Sequence, residues 1–194
     1  MLQVREDDAT AFEELMLRYQ GRVLSVLRLM IGNRDLAEDL TQDVFLRVFR
    51  ARKTYTPGSK FSTWLFTIAN NVALNAIRRQ KRKPEYQFAP VGESSNGMPT
   101  IDQTVPENSA MMPTRQLDHQ ELRETVRMAV DTLSENQRMA VLLNKFEGMN
   151  YVEIAQVMKL TPQAVKSLLC RARTNLRVIL EPYIDHGKGL EASF

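Results

Sequence analysis

The stretch from Asn150 to Arg173 carries two helix-start signals with room for only a tight turn between them. Asn150 stands three residues before Glu153. At that spacing an N-cap side chain and a returning carboxylate satisfy each other's backbone N–H groups. Ile154, Ala155 and Met158 then recur at helical spacing. After Lys159 and Leu160, Thr161 offers a second N-cap, and Pro162 takes the first helical position, where its missing N–H costs nothing. Val165, Leu168 and Leu169 give this second helix an apolar side, and Gln163, Lys166, Ser167, Arg171 and Arg173 occupy the remaining surface. Between Lys159 and Val178 there are five basic residues and no acidic one. Short turn, capped second helix, small Ala155 and one-signed outer face together predict a helix-turn-helix that binds DNA. An ordinary helical hairpin with a solvated basic face is the alternative at this point.

The chain upstream is also helical in pattern. Phe12, Leu15, Met16, Tyr19, Val23, Val26, Leu27 and Met30 follow the i, i+3, i+4, i+7 rule, which predicts a helix over 9–31 that Gly32-Asn33 ends. A second helix is expected over 35–52, with Leu36, Leu40, Val44, Phe45, Val48 and Phe49 inside. Its early outer surface is acidic (Asp35, Glu38, Asp39, Asp43), and the helix dipole accounts for part of that placement. The polar loop from Lys53 to Lys60 holds a Pro-Gly turn. A third helix, about 61–80, points Phe61, Trp64, Leu65, Ile68, Val72 and Ala76 inward and sets Thr67, Asn70, Asn71, Asn75, Arg78 and Arg79 on the opposite stripe. Asparagine is a poor helix former, so propensity does not explain three of them on one face. Asparagine amides can bond base edges and arginines bind phosphates. The run Arg78 to Lys83 reads as a solvated helix end or as a nucleic-acid contact. The asparagine stripe, with aromatic Tyr55 and Phe61 flanking the loop, favours unpaired, stackable bases.

Charge divides the chain. Residues 1–83 hold 15 Lys/Arg against 9 Asp/Glu, residues 84–118 hold 1 against 5, and residues 119–194 hold 10 against 9. A local basic excess suits a nucleic-acid surface better than a generally cationic protein. Five of the eight prolines fall in 84–118 and helical periodicity stops there, so this segment reads as an acidic, extended linker. Periodicity resumes near Asp118 with Leu122, Val126, Ala129, Val130 and Leu133, and Ser134 to Gln137 form a second capping box ahead of Met139, Val141, Leu142 and Phe146. The expected fold is all-α: a helical domain over 1–83, a linker over 84–118, a second helical domain over 119–181 with the helix-turn-helix, and a tail over 182–194. The single cysteine, Cys170, rules out an internal disulfide framework, fits a reducing cytoplasm, and reads as a small packing residue. No signal peptide is visible and no apolar run approaches the ~20 residues of a membrane span, so no membrane insertion is expected.

The two modules together resemble a family. Asp35 to Phe45 is similar to the segment with which bacterial sigma factors of the sigma-70 family grip core RNA polymerase. Phe61 to Asn70, with the basic end that follows, resembles the family's region that opens and reads the −10 element. Leu133-Ser134, Gln137-Arg138, Phe146 to Gly148, Tyr151 to Ala155, Ala164 to Ser167 and Arg171 to Arg173 resemble its −35-reading module. The size, with no room for an extra middle domain, resembles the extracytoplasmic-function group. The resemblance implies a dock on the beta-prime clamp helices through Asp35, Glu38, Asp39, Gln42 and Asp43, and a further contact with the beta flap. It implies −10 recognition and duplex opening by Tyr55, Lys60, Trp64, Asn71, Asn75, Arg78 and Arg79. It also implies −35 recognition by Thr161, Pro162, Gln163, Lys166, Ser167, Arg171 and Arg173. The implied partners are core polymerase and promoter DNA, with an anti-sigma factor as a further partner known among relatives. Lys159 departs from the glycine common at the turn, and Leu168 and Cys170 from the Arg and His often found there; Leu168 either turns inward or meets a thymine methyl.

Two other readings compete. A helix-turn-helix regulator acting without polymerase leaves the Asp35–Phe45 and Phe61–Lys83 blocks unexplained. An enzyme fits poorly: His119 and His186 have no metal or nucleophile constellation around them, and Glu38 with Asp39 lies on an open helix face. No catalytic residue, metal or cofactor is expected.

Overall fold

The computed structural model describes residues 1–58, 60–82 and 125–188, the last seven as backbone only. The expected linker and the end of the expected tail lie outside the described residues. Among the described residues eight helices run in order: α1 (Leu2–Arg5), α2 (Ala9–Ile31), α3 (Arg34–Arg50), α4 (Phe61–Arg82), α5 (125–131), α6 (Glu135–Lys145), α7 (Tyr151–Met158) and α8 (Pro162–Lys188). A 3₁₀ turn, Arg52–Thr54, follows α3. No β-strand occurs among the described residues.

Local chemistry sets the helix ends. The Asp8 carboxylate accepts from the Ala11 N–H at 3.0 Å and starts α2, and Gly32 ends it in the left-handed region at φ 77°. Asn33 caps α3, accepting from Leu36 N–H at 2.9 Å. Both expected capping boxes are present, Ser134 with Gln137 and Asn150 with Glu153. Lys159 ends α7 at φ 55°, a conformation that costs a non-glycine residue roughly 1–2 kcal/mol. The expected tail begins at Pro182, yet α8 continues to Lys188. Proline deletes one backbone bond there but holds a φ already helical.

Helices α2, α3 and α4 pack on one another, as do α6, α7 and α8. The two units also pack together, α4 on α7 and α2 on α6, and their apolar interiors join into one core. Val23, Leu27, Val44, Leu65 and Phe66 from the first unit and Met139, Leu142, Leu143, Ile154 and Val165 from the second are each at most 1% exposed. Burying a side chain of this kind contributes roughly 1.5–3 kcal/mol, so the core fixes both units firmly.

Five residues depart from their helical period. Val126 is 39% exposed, and Phe146, just past the end of α6, is 60% exposed. Phe49 is 41% exposed instead of buried, tilted against Phe12 at 5.1 Å between centroids, with the Arg52 guanidinium 4.1 Å above its ring. Asn70 is buried instead of solvent-facing, and its Oδ1 has no hydrogen-bond partner. Helix α4 packs on α2, α3 and α7, so its covered arc is wider than its apolar stripe. Cys170 is exposed instead of packed. It follows the buried Leu169 by about 100° around α8, which turns it out of the core.

Candidate nucleic-acid and polymerase interfaces

On α3, Asp35, Asp39 and Gln42 are exposed at positions that share one face. Glu38 and Asp43, half-buried, pair within the helix with Arg34 at 2.8 Å and Arg47 at 2.9 Å. These i, i+4 pairs hold the two carboxylates beside the exposed stripe without covering it. The same face continues into Leu46, 55% exposed, and Phe49, so the acidic strip has an apolar extension. Leu46 escaped the sequence reading because an isolated leucine between Phe45 and Val48 looks like core. A polymerase groove could take such a strip by charge at one end and apolar contact at the other.

The loop between α3 and α4 is built around three rings. Tyr55 lies 5.3 Å from Trp64 and 6.2 Å from Phe61, both edge-on, and Phe61 meets Tyr19 at 5.2 Å. Tyr55 is only 8% exposed, so it forms the wall of this box and presents no open ring face. Trp64 is partly buried beside it. Farther along α4, Asn71, Asn75, Arg78 and Arg79 are all exposed. Asn71 also lines a shallow groove with Arg47, Arg50, Ala51 and Ile68. Amide and guanidinium donors thus line the flank of α4 that leads away from the aromatic box.

At the start of α8, Thr161 is exposed, and along the helix Pro162, Gln163, Lys166, Ser167, Arg171 and Arg173 are exposed as well. Thr161 has a structural duty: its hydroxyl accepts from Ala164 N–H at 3.2 Å and caps the helix. Ser167 donates to the Gln163 carbonyl at 3.0 Å, and Arg173 reaches the Tyr151 hydroxyl at 3.4 Å, tying α8 to α7. Leu168 resolves inward, against the core. Cys170 stands on the exposed face between Lys166 and Arg173, one turn from each.

The structure adds contacts that no sequence pattern announced. Lys60, in the loop between α3 and α4, donates to Glu153 of α7 at 2.7 Å. Glu153 therefore serves two partners, since its other oxygen accepts from Asn150 N–H at 2.9 Å. The Lys60 ammonium, then the Asn150 N–H, hold its carboxyl below the ordinary range. Arg22 pairs with Glu147, whose side chain is 2% exposed. Burial pushes the Glu147 carboxyl up, and Arg22 offsets only part of that. Lys81 pairs with Glu135, and Arg138 donates to the Leu29 and Met30 carbonyls at 3.4 Å. All four contacts join the α2–α4 unit to the α6–α8 unit. The signal for them was absent from the sequence because each links residues dozens of positions apart.

No helix among the described residues is long and apolar enough to cross a membrane, and no group of three or more potential metal ligands is found there. Residues 15–83 match the family model for sigma-70 region 2, and residues 123–176 match that for sigma-70 region 4. The chain is 30% identical to the RNA polymerase sigma-H factor of Pseudomonas aeruginosa, covering 93% of this chain and 92% of that one. It is 32% identical to the ECF RNA polymerase sigma-E factor of Escherichia coli, with the same coverage. Among solved structures its fold resembles the sigma factor RpoE in complex with the anti-sigma factor NepR from Bartonella quintana. The TM-score is 0.67 at 22% identity, over 89% of this chain and 98% of that one. It also resembles CnrH in complex with the cytosolic domain of CnrY, with a TM-score of 0.64 at 21% identity over 93% and 94% of the two chains. A basic helical unit followed by a helix-turn-helix unit, with these relatives, places the chain in the extracytoplasmic-function group of the sigma-70 family, the promoter-specificity subunits of bacterial RNA polymerase.

Proposed function

We propose that each unit takes the residue roles its surface chemistry fits. The α3 strip of Asp35, Asp39 and Gln42, flanked by Glu38 and Asp43, docks on the clamp helices of core polymerase. The loop from Tyr55 to Lys60 receives a base flipped from the non-template strand, with Tyr55, Phe61 and Trp64 forming a rigid wall behind it. Extruding a base costs a few kcal/mol, which stacking and hydrogen bonding in a pocket must offset. Asn71, Asn75, Arg78 and Arg79 hold the edge of the opening duplex. On α8, Gln163, Lys166 and Ser167 face base edges of the −35 major groove while Arg171 and Arg173 contact phosphates. The α6–α8 unit also meets the beta flap. Boundaries at 83, 119 and 181 divide the chain into these units, and the protein works in the cytoplasm without catalysing a reaction itself.

The observation that carries this reading is the spatial segregation of the strips: acidic and apolar on α3, amide and cationic on α4, cationic on α8. The packed arrangement constrains how they act. The −35 and −10 elements lie about 25 base pairs apart, or about 85 Å at 3.4 Å per pair. A chain with α7 pressed on α4 cannot span that distance, so the units separate when both elements are read. The packed form, with Lys60 held by Glu153, is the stored form, and an anti-sigma factor of the kind bound to the solved relatives is the partner expected to hold it. Asp39→Lys with Asp43→Lys tests the dock. Core association is expected to disappear while the helical circular-dichroism signal stays; retained co-purification with polymerase rejects the dock.

A further inference from the structure

The segment before α2 is outside every role assigned above, yet it is built into the fold. Val4 is 1% exposed, packed inside despite its place in a four-residue helix. Arg5 donates to the Tyr55 carbonyl at 3.4 Å. Asp7 sits in the left-handed region at φ 66°, a conformation that glycine adopts freely and aspartate adopts under strain. Its carboxylate accepts from Arg52 Nε at 2.6 Å and lies 3.7 Å from the Lys53 ammonium. Three attachments within four residues, at 4, 5 and 7, therefore land on the fold beside the 3₁₀ turn that leads into the base-receiving loop.

We infer that residues 4–7 form a strap that sets the near end of the −10 loop, with Asp7 as its positioning residue. This rests on the −10 reading proposed above. A strained backbone that persists beside a functional loop has to be held by something, and here the side chain that sits on the strained residue makes the bond to the loop. The Arg52 guanidinium is held at three points. It bonds Asp7, donates to the Phe49 carbonyl at 2.8 Å and covers the Phe49 ring. With Arg52 pinned, the chain from 52 to Tyr55 has one course, and Tyr55 enters the aromatic box from a fixed direction. The strap touches no DNA; it removes freedom from the residues that do.

Asp7→Gly separates positioning from stability, because glycine relaxes the backbone while removing the carboxylate. Asp7→Asn keeps a residue tolerant of the left-handed region and removes only the charge. The assay is selection by holoenzyme, full chain plus core polymerase, from single-stranded DNA randomised over the −10 segment. Affinity for the sequence that wild type prefers, core affinity and thermal midpoint are measured alongside. For Asp7→Gly the expected results are a flattened base preference and affinity lower by about two- to fivefold, the scale of one partly exposed ion pair. Core affinity is unchanged and the thermal midpoint equal or higher. Asp7→Asn falls between. Wild-type selection and affinity in Asp7→Gly overturn the strap. Asn71→Ala with Asn75→Ala is the control: if that variant loses selection and Asp7→Gly does not, the strap alone fails. If wild type shows no selection, the −10 reading fails and the strap with it.

Discussion

Replacing Arg171 and Arg173 with alanine gives a prediction whose size follows from α8 itself. Both guanidinium groups are exposed, at opposite edges of the solvent-facing arc of α8 proposed to enter the groove, where each can reach a phosphate, and neither contributes to the core. Each phosphate contact adds about 0.9 to the slope of log affinity against log salt on duplex DNA. Removing two therefore flattens the slope by about 1.8, which at 0.1 M salt corresponds to a loss of up to about 60-fold in affinity. Arg173 also reaches the Tyr151 hydroxyl, a long bond at 3.4 Å on the surface, so its loss leaves the unit folded. The assay is fluorescence anisotropy of the holoenzyme on a −35 duplex across a salt series, with thermal denaturation as the control for folding. Lys166→Ala provides the contrast, because a base-edge contact changes which duplexes bind more than it changes the slope. A double variant with an unaltered slope would refute the placement of this face on DNA.

Two further outcomes follow from the same geometry. The Glu147 carboxyl is raised by burial, so the packed form binds its proton more readily than the unfolded chain does and gains stability as pH falls toward 4.5, its ordinary value. Glu153 is shifted the other way by Lys60, so its contribution is present above 4.5 and is lost as pH falls through its lowered value. The thermal midpoint at low salt should therefore rise and then fall on acidification; Glu147→Gln should remove the rise, and a rise that survives contradicts the assignment. Cys170, exposed beside Lys166, offers a chemical test. Alkylation with a bulky maleimide should abolish −35 duplex binding and leave core association intact, whereas unchanged duplex binding would move the reading face elsewhere on α8.

Much of the fold was legible wherever a few neighbouring residues decide the outcome. The Asn150–Glu153 and Ser134–Gln137 boxes, the Thr161 cap and the Pro162 start are local chemistry, and each stands in the structure. The inward stripe of α2 was legible too, because one helix face meets one core. Tertiary context decided the rest. Helix α4 is covered by three neighbours, which buries Asn70 against its pattern, and α3 leaves Phe49 at the surface, where Phe12 and Arg52 shield it. Tyr55 looked like a free stacking platform because nothing in its neighbourhood says that Trp64 and Phe61 close over it. The strap at residues 4–7 was missed since four residues carry no period. The packing of the two units was missed because ion pairs such as Lys60–Glu153 leave no trace in either local sequence.

The central claim is that this chain gives core polymerase the ability to find and open promoters. Core polymerase with and without the protein should be mixed with a genomic fragment library and nucleotides, and the 5′ ends of the transcripts mapped. The account predicts starts that appear only with the protein and share one pair of upstream elements, and that vanish with Asp39→Lys and Asp43→Lys. Transcripts that are the same with and without it, or starts with no common upstream sequence, would contradict it.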